Sequence, residues 1–281
     1  MYFSSGSWKL YAETFGASTD PAVILLHGAG NSMMSWDAEL CEALAARGRL
    51  VVRLDARDVG RSATSGDGGP SYSIHDSADD VVALLDALDL PAATLAGVSG
   101  GGIVAQITAV EHPQRVSGLV LISTTPGGDD LPGPAAGLFA DEPEHPDWTD
   151  RAAAVRWLVE VERPYGASRF DEELMTRIAE RTFDHADDLA AQVSNPFAVS
   201  EGRPVRDRLP EIRVPTAVVH GSADPMFPLE HGRALAAAIP GAALVVLDGF
   251  GHATAPREDW PALVDVIVAT SEGHRPANAA E

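Results

Sequence analysis

The chain has 281 residues, 45% of them apolar, and carries 41 Asp and Glu against 20 Lys and Arg, a net charge of −21. That size and apolar share fit a globular chain burying about three quarters of its unfolded surface, in one large domain or two small ones. So negative a surface repels phosphates and anionic lipid, which excludes nucleic acid and disfavours a membrane as partner. The single cysteine, Cys41, rules out an intramolecular disulfide and a Cys2His2-type zinc site, and reads as a small buried thiol. Residues 1–10 lack a basic head followed by an apolar run, and no stretch approaches the ~18 apolar residues of a membrane span. A soluble, cytoplasmic protein is expected.

In chain order, residues 8–15 read as a strand paired with 1–5. Short apolar runs at 22–26, 50–54, 94–98, 119–122, 216–219 and 243–247 read as strands buried on both faces. Helical patterns lie between them at about 35–47, 76–88, 101–112, 229–239 and 258–269. This alternation predicts an α/β fold with a mostly parallel central sheet and helices on both faces. The rhythm breaks between 127 and 210. A Gly/Pro-rich opening leads into helical patterns at about 149–163 and 170–193, with seven of the seventeen aromatic residues. The expected division is a core of 1–126 and 211–281 and an inserted helical cap of 127–210. The polar tail after Ser271 is expected to fray.

The central motif is Gly97-Val98-Ser99-Gly100-Gly101, between the strand TLAGV and a helix. G-x-S-x-G in that setting is a nucleophile elbow: the serine sits on a strained turn, and the glycines let neighbouring backbone approach closely. Ser99 is lifted to the carboxyl end of the sheet, at a helix N-terminus that favours developing negative charge. A serine nucleophile needs a base and a group that orients the base. Asp224, after strand 216–219, and His252, after strand 243–247, follow in the order Ser, acid, His and fall on the same rim. Two backbone amides are needed for an oxyanion: Gly100, and Ala29 or alternatively Gly30, from the loop His27-Gly28-Ala29-Gly30. His27 precedes Ser99 in the chain and is expected to brace that loop.

These residues, with LLHGAG, Leu54 to Ser62, HGSAD and GFGH, resemble the α/β-hydrolase superfamily over about residues 8–270. The resemblance implies that Asp55 and Arg57 brace the sheet and turns, and that Asp58 stands where most relatives have glycine. It also leaves Asp129 or Asp130 as rival acids, since some relatives place the acid after the strand at 119–122. The Arg-Asp-x-Gly-Arg-Ser segment, with Asp184 to Asp187, is similar to a bacterial subgroup that includes anthracycline (aclacinomycin) methyl esterases. Those relatives often have methionine after the nucleophile; Gly100 implies a roomier pocket floor.

Other chemistries fit less well. Met33 stands where a dinucleotide fingerprint needs its third glycine, no P-loop or HExxH occurs, and nine scattered histidines lack ligand spacing, so no cofactor and no metal are expected. Ser99 argues against epoxide hydrolases and dehalogenases, which use Asp. Carbon–carbon bond hydrolases usually follow the catalytic His with Trp, and here Ala253 follows. Proline iminopeptidases add cap carboxylates. The acidic cap residues Glu142, Glu144, Glu160, Glu162, Asp171, Glu172 and Glu173 read either that way or, more commonly, as a solvated helical face. Cofactor-free haloperoxidases share the triad, and a non-hydrolytic lyase, cyclase or interaction protein is the alternative of another class. The expectation is a serine esterase acting on a small neutral or weakly cationic ester. Trp148, Trp157, Tyr165 and Phe170 either line its pocket or only pack the cap. Met33, Met34 and Phe227 flank the catalytic loops as further substrate contacts. Nothing in the sequence bears on oligomeric state.

Overall fold

Short runs without polar side chains are stable only in a sheet covered on both faces, where backbone groups pair with neighbouring strands. The computed structural model, which describes residues 1–274 except 67, 142, 253 and 254, places these runs in one eight-stranded sheet. Its strands are β1 (Tyr2–Ser5), β2 (Trp8–Phe15), β3 (Ala22–Leu26), β4 (Leu50–Asp55), β5 (Ala93–Val98), β6 (Val116–Ile122), β7 (Thr216–Gly221) and β8 (Ala243–Leu247). They lie in the order β1-β2-β4-β3-β5-β6-β7-β8. β1 and β2 pair antiparallel and β2 joins β4 antiparallel; every pairing from β4 to β8 is parallel.

The helices are α1 (Ala38–Ala45), α2 (Ile74–Ala87), α3 (Gly100–Glu111), α4 (Arg151–Glu162), α5 (Glu172–His185), α6 (Leu189–Ser194), α7 (Leu229–Ala238) and α8 (Trp260–Ser271). Alternate strand residues face opposite ways. Ile24, Leu26, Leu95 and Leu121 share one core with Leu84 of α2, Ala105 of α3 and Leu235 of α7. Val23, Leu25, Val120 and Ile122 share the other with Leu40 of α1 and Ile267 of α8. The sheet is thus covered on both faces, as the apolar runs predict.

Three of the differences from the expected boundaries have a clear local reason. The helix expected from 35 begins at Ala38, because the Asp37 side chain caps it by accepting from Glu39 N at 2.9 Å, and Met33–Ser35 forms a separate 3-10 turn. The helix expected from 258 begins at Trp260, with Pro261 in its first turn where a missing N–H costs nothing. The stretch expected as one helix over 170–193 is two. Ala186 turns extended (ψ 128°), and Asp188 caps α6 by accepting from Ala191 N at 2.9 Å.

Among the described residues no strand occurs between β6 and β7; α4, α5 and α6 fill that interval over the carboxyl rim of the sheet. Polar ties hold these helices to it. His185 Nε2 meets Asp55 Oδ2 at 2.6 Å, both side chains nearly fully buried. Asp187 N donates to Gly60 O at 2.8 Å, and Gly60 N donates to the fully buried Gln192 Oε1 at 3.1 Å. Arg181 Nη1 donates to Asp37 Oδ2 at 3.0 Å. The Asp55 to Ser62 segment and the Asp184 to Asp187 segment, distant in sequence, are therefore in direct contact. No helix among the described residues is long and apolar enough to cross a membrane.

Candidate active site

Ser99 ends the turn after β5 with φ 51° and ψ −118°, a conformation that costs a non-glycine residue of order 1–3 kcal/mol and persists only where its surroundings enforce it. The enforcement is visible. Ser99 N donates to Ile122 O at 3.0 Å, and Ser99 O accepts from Thr124 Oγ1 at 2.7 Å and Gly102 N at 2.9 Å. A Cβ at Gly97 would meet Gly101 O at 2.3 Å, and one at Gly101 would meet Leu26 O at 2.5 Å. The turn closes only with glycine at both positions.

Each partner of Ser99 follows its own parallel strand. His252 Nε2 lies 3.0 Å from Ser99 Oγ, and His252 Nδ1 lies 2.9 and 3.1 Å from the two oxygens of Asp224. Asp224 Oδ1 also accepts from Met226 N at 2.9 Å and Phe227 N at 2.8 Å, so the turn after β7 fixes the carboxylate. That turn is pinned in its own right by His220 Nε2, which donates to Phe227 O at 2.7 Å. Burial pushes His220 below its ordinary pKa and keeps it neutral. Behind the base, His252 N donates to Tyr165 O at 2.7 Å, across a crossing where Gly251 admits no side chain. Asp129 and Asp130 are exposed. Asp130 pairs with Arg206, which holds its carboxyl below the usual range, while the hydrogen-bond partner of His252 Nδ1 is Asp224.

The loop after β3 abuts the nucleophile turn. The position of a Cβ on Gly100 is 3.3 Å from Ala29 N, so the loop after β3 passes directly beside the turn that carries Ser99. His27 braces this loop. Its Nε2 accepts from Ala56 N at 3.2 Å and its Nδ1–H donates to Gly28 O at 2.8 Å, a neutral tautomer that agrees with the downward shift burial gives it. Gly30 takes φ 76°, with its carbonyl toward Gln192 Nε2 at 3.5 Å. Met33 N donates to Asp55 Oδ1 at 3.1 Å, which ties the same loop to the carboxylate that His185 holds. Arg57 forks onto Asp80 at 2.7 and 2.8 Å, and so braces the turn after β4 against α2. Asp58, where glycine is usual, takes φ 65°. Its carboxylate accepts from Tyr72 Oη and Ser65 Oγ at 2.9 Å each, which offsets the strain.

A cavity of about 210 Å³ opens over Ser99 and His252, between the rim and α4–α5. Of the residues predicted to touch substrate, Trp157 and Tyr165 line it. The others do not. Met33 and Met34 are buried in the core beneath the loop, because the Met33 amide is drawn to Asp55. Trp148 packs edge-on behind Trp157 at 5.1 Å. Phe170 packs between α4 and α5. Phe227 stands at 5.2 Å against the His252 ring, and its neighbour Met226 takes the lining position. The sequence reading missed Trp36, Met175, Ile178 and Trp260, all in the cavity wall; Glu162, weighed there among the acidic cap residues, also lines it. Met175, Ile178 and Thr182 recur at helical spacing on α5, which was the available signal. Of the acidic cap residues, Glu160 and Glu172 pair with Arg163 at the surface, Asp171 caps α5, and Glu144 and Glu173 are exposed. Glu142 lies outside the described residues, as do Ala253 and the tail from 275. Cys41 is buried, and burial pushes its thiol up to about 12. Among the described residues no cluster of His, Cys, Asp or Glu could hold a metal ion.

Comparison with known proteins agrees with this architecture. The alpha/beta hydrolase fold family matches residues 21–256. A rhodomycin D methylesterase from a Streptomyces species is 29% identical over 273 residues, covering 87% of this chain and 89% of that protein. A 3-oxoadipate enol-lactonase from Acinetobacter baylyi is 28% identical and covers 84% of this chain and 83% of its own. Among solved structures, the enol-lactonase from Burkholderia xenovorans superposes with a TM-score of 0.74 at 25% identity, over 96% of this chain and 99% of that one.

Proposed function

Because this chain belongs to the α/β-hydrolase fold family, we propose that it is a serine carboxylic ester hydrolase working through Ser99, His252 and Asp224. The observation that carries the reading is the unbroken hydrogen-bond chain from Ser99 Oγ through His252 to Asp224. With Nδ1–H donated to Asp224, His252 Nε2 is free to take the serine proton as Oγ attacks the ester carbonyl. Asp224 stabilises the imidazolium that forms. The amides of Gly100 and Ala29 receive the negative charge on the carbonyl oxygen. His252 then protonates the departing alcohol, and water, activated by the same nitrogen, releases the acid. No cofactor enters these steps.

Residues 127–210 act in this reading as a cap, and 1–126 with 211–281 as the core. The cap supplies the apolar wall that selects the ester. A small, largely apolar ester fits that wall. A methyl ester of polyketide type is the narrower proposal, supported by the similarity to a rhodomycin D methylesterase. Hydrolysis of short-chain p-nitrophenyl esters tests the function, with Ser99→Ala as control. Turnover by the wild type and labelling of Ser99 by a fluorophosphonate are expected. No turnover and no labelling would refute the esterase.

A further inference from the structure

Most polar side chains in the cavity wall already have partners. Ser99 meets His252, Asn31 meets Glu162, and Ser35 Oγ donates to Ser32 O at 2.9 Å. Trp157 and Trp260 donate their ring N–H groups to Pro143 O at 3.0 Å and Ala255 O at 2.9 Å. Trp36 Nε1 and Thr182 Oγ1 have no hydrogen-bond partner among the described residues. The two differ in reach. Trp36 Nε1 is enclosed by protein atoms; Thr182 Oγ1 is not, although the residue as a whole is only 5% exposed. The open space beside Thr182 is the cavity that it lines. A threonine inside a helix commonly returns its hydroxyl to the carbonyl one turn back. Thr176 does so to Glu172 O and Thr108 to Val104 O, each at 2.8 Å; Thr182 does not.

The residue is nonetheless held in place. On either side of it Arg181 Nη1 donates to Asp37 Oδ2 at 3.0 Å and His185 Nε2 meets Asp55 Oδ2 at 2.6 Å, which pins the last turn of α5 to the rim. Its hydroxyl is thus a fixed hydrogen-bonding point on a helix face that is otherwise apolar in the cavity, through Met175, Ile178 and Ala179. A ligand that fills the cavity expels water from this point and leaves the hydroxyl unpaired unless it brings a partner of its own. We propose that Thr182 is a hydrogen-bonding subsite for a neutral oxygen of the substrate, a hydroxyl or carbonyl set on an apolar body apart from the ester group. A threonine hydroxyl both donates and accepts, so it pairs with either. Among the described residues no lysine or arginine lines the cavity, so a carboxylate there would lack a counter-charge. The naming of the substrate as an ester rests on the esterase reading; the subsite itself is read by binding.

Thr182→Val keeps the shape of the side chain and removes its hydroxyl. Trp36, Trp157 and Trp260 line the cavity, so their fluorescence reports ligand binding without turnover. The probes are cyclohexanol and methylcyclohexane, alike in shape and differing by a hydroxyl for a methyl. The substitution should weaken cyclohexanol about fivefold and leave methylcyclohexane as tightly bound or tighter. A merely structural role would weaken both alike, so equal losses overturn the subsite, as does no change in either or no binding of cyclohexanol by the wild type. Thr182→Ser against Thr182→Ala repeats the comparison, hydroxyl present and absent, and keeps the test standing if the valine protein misfolds. Turnover of methyl 6-hydroxyhexanoate and methyl heptanoate completes it: Thr182→Val should raise KM about fivefold for the hydroxy ester alone. Turnover of both esters without that selective effect overturns the role of Thr182 in substrate choice and leaves the esterase. Selective loss of cyclohexanol binding without turnover of any ester keeps the subsite and overturns the esterase.

Discussion

The rim of the sheet and the helices above it are held in different ways. On the rim, backbone groups fix the side chains. Ser99 is anchored through its own amide and carbonyl, Asp224 by two amides of its turn, and the loop at 28–30 by a neutral histidine. The helices are tied largely through paired side chains, His185 with Asp55, Arg181 with Asp37 and Arg169 with Asp259, beside two backbone bonds, Asp187 N to Gly60 O and His252 N to Tyr165 O. Backbone anchoring is shared with the sheet and fails only when the sheet does. A side-chain tie can be cut singly. Changes on the rim should therefore abolish chemistry without unfolding, and changes in the helices above it should alter access and selection.

The largest effect tests the rim. Ser99→Ala should lower ester turnover by about 10⁵-fold with the melting temperature nearly unchanged. Next is Asp224→Asn, which keeps the shape but offers His252 the wrong partner; a loss of about 10⁴-fold in kcat is expected, and Asp130→Asn should be silent. Activity that survives at Asp224 and disappears at Asp129 or Asp130 would move the acid to β6. The cap side is tested by His185→Ala. It should weaken kcat/KM for a bulky ester about tenfold and cost about 1–3 kcal/mol in denaturant unfolding, with Ser99 still labelled by fluorophosphonate. Loss of labelling would erase the distinction between the two regions.

Smaller effects concern the buried histidines of the rim. His27 and His220 are both held below the ordinary value of 6.5 by burial. The unfolded chain takes up their protons first as pH falls, so their stabilisation is complete above 6.5 and is lost below it. The melting temperature should decline between about pH 6.5 and 5, where carboxylates titrate little. A flat profile there would mean that these rings are not neutral struts. Least of all, Cys41 should resist maleimide until the chain is unfolded, since its thiol is buried and its pKa raised.

The fold was legible because strands buried on both faces leave unbroken apolar runs, and the elbow because a strained serine demands glycine beside it. Trp157 and Tyr165 were legible as large aromatics in the cap. Met33, Met34 and Phe170 misled for a physical reason: an apolar side chain near a functional loop can face a cavity or a core, and composition does not separate the two. Glu162 was named in the sequence only as one of several acidic residues that bind substrate or face solvent. Only its position at the inner end of α4 distinguishes it from Glu160, which pairs with Arg163 in solvent. The helix break at 186–188 was missed because Asp188 reads as an ordinary helix-surface residue until its side chain is seen capping α6.

The bond from His252 N to Tyr165 O joins the base to the segment that follows α4. Any displacement of that segment would strip the base of this backbone support. One short segment thus serves two purposes at once, as part of the cavity wall at Tyr165 and as a backbone support of the proton acceptor.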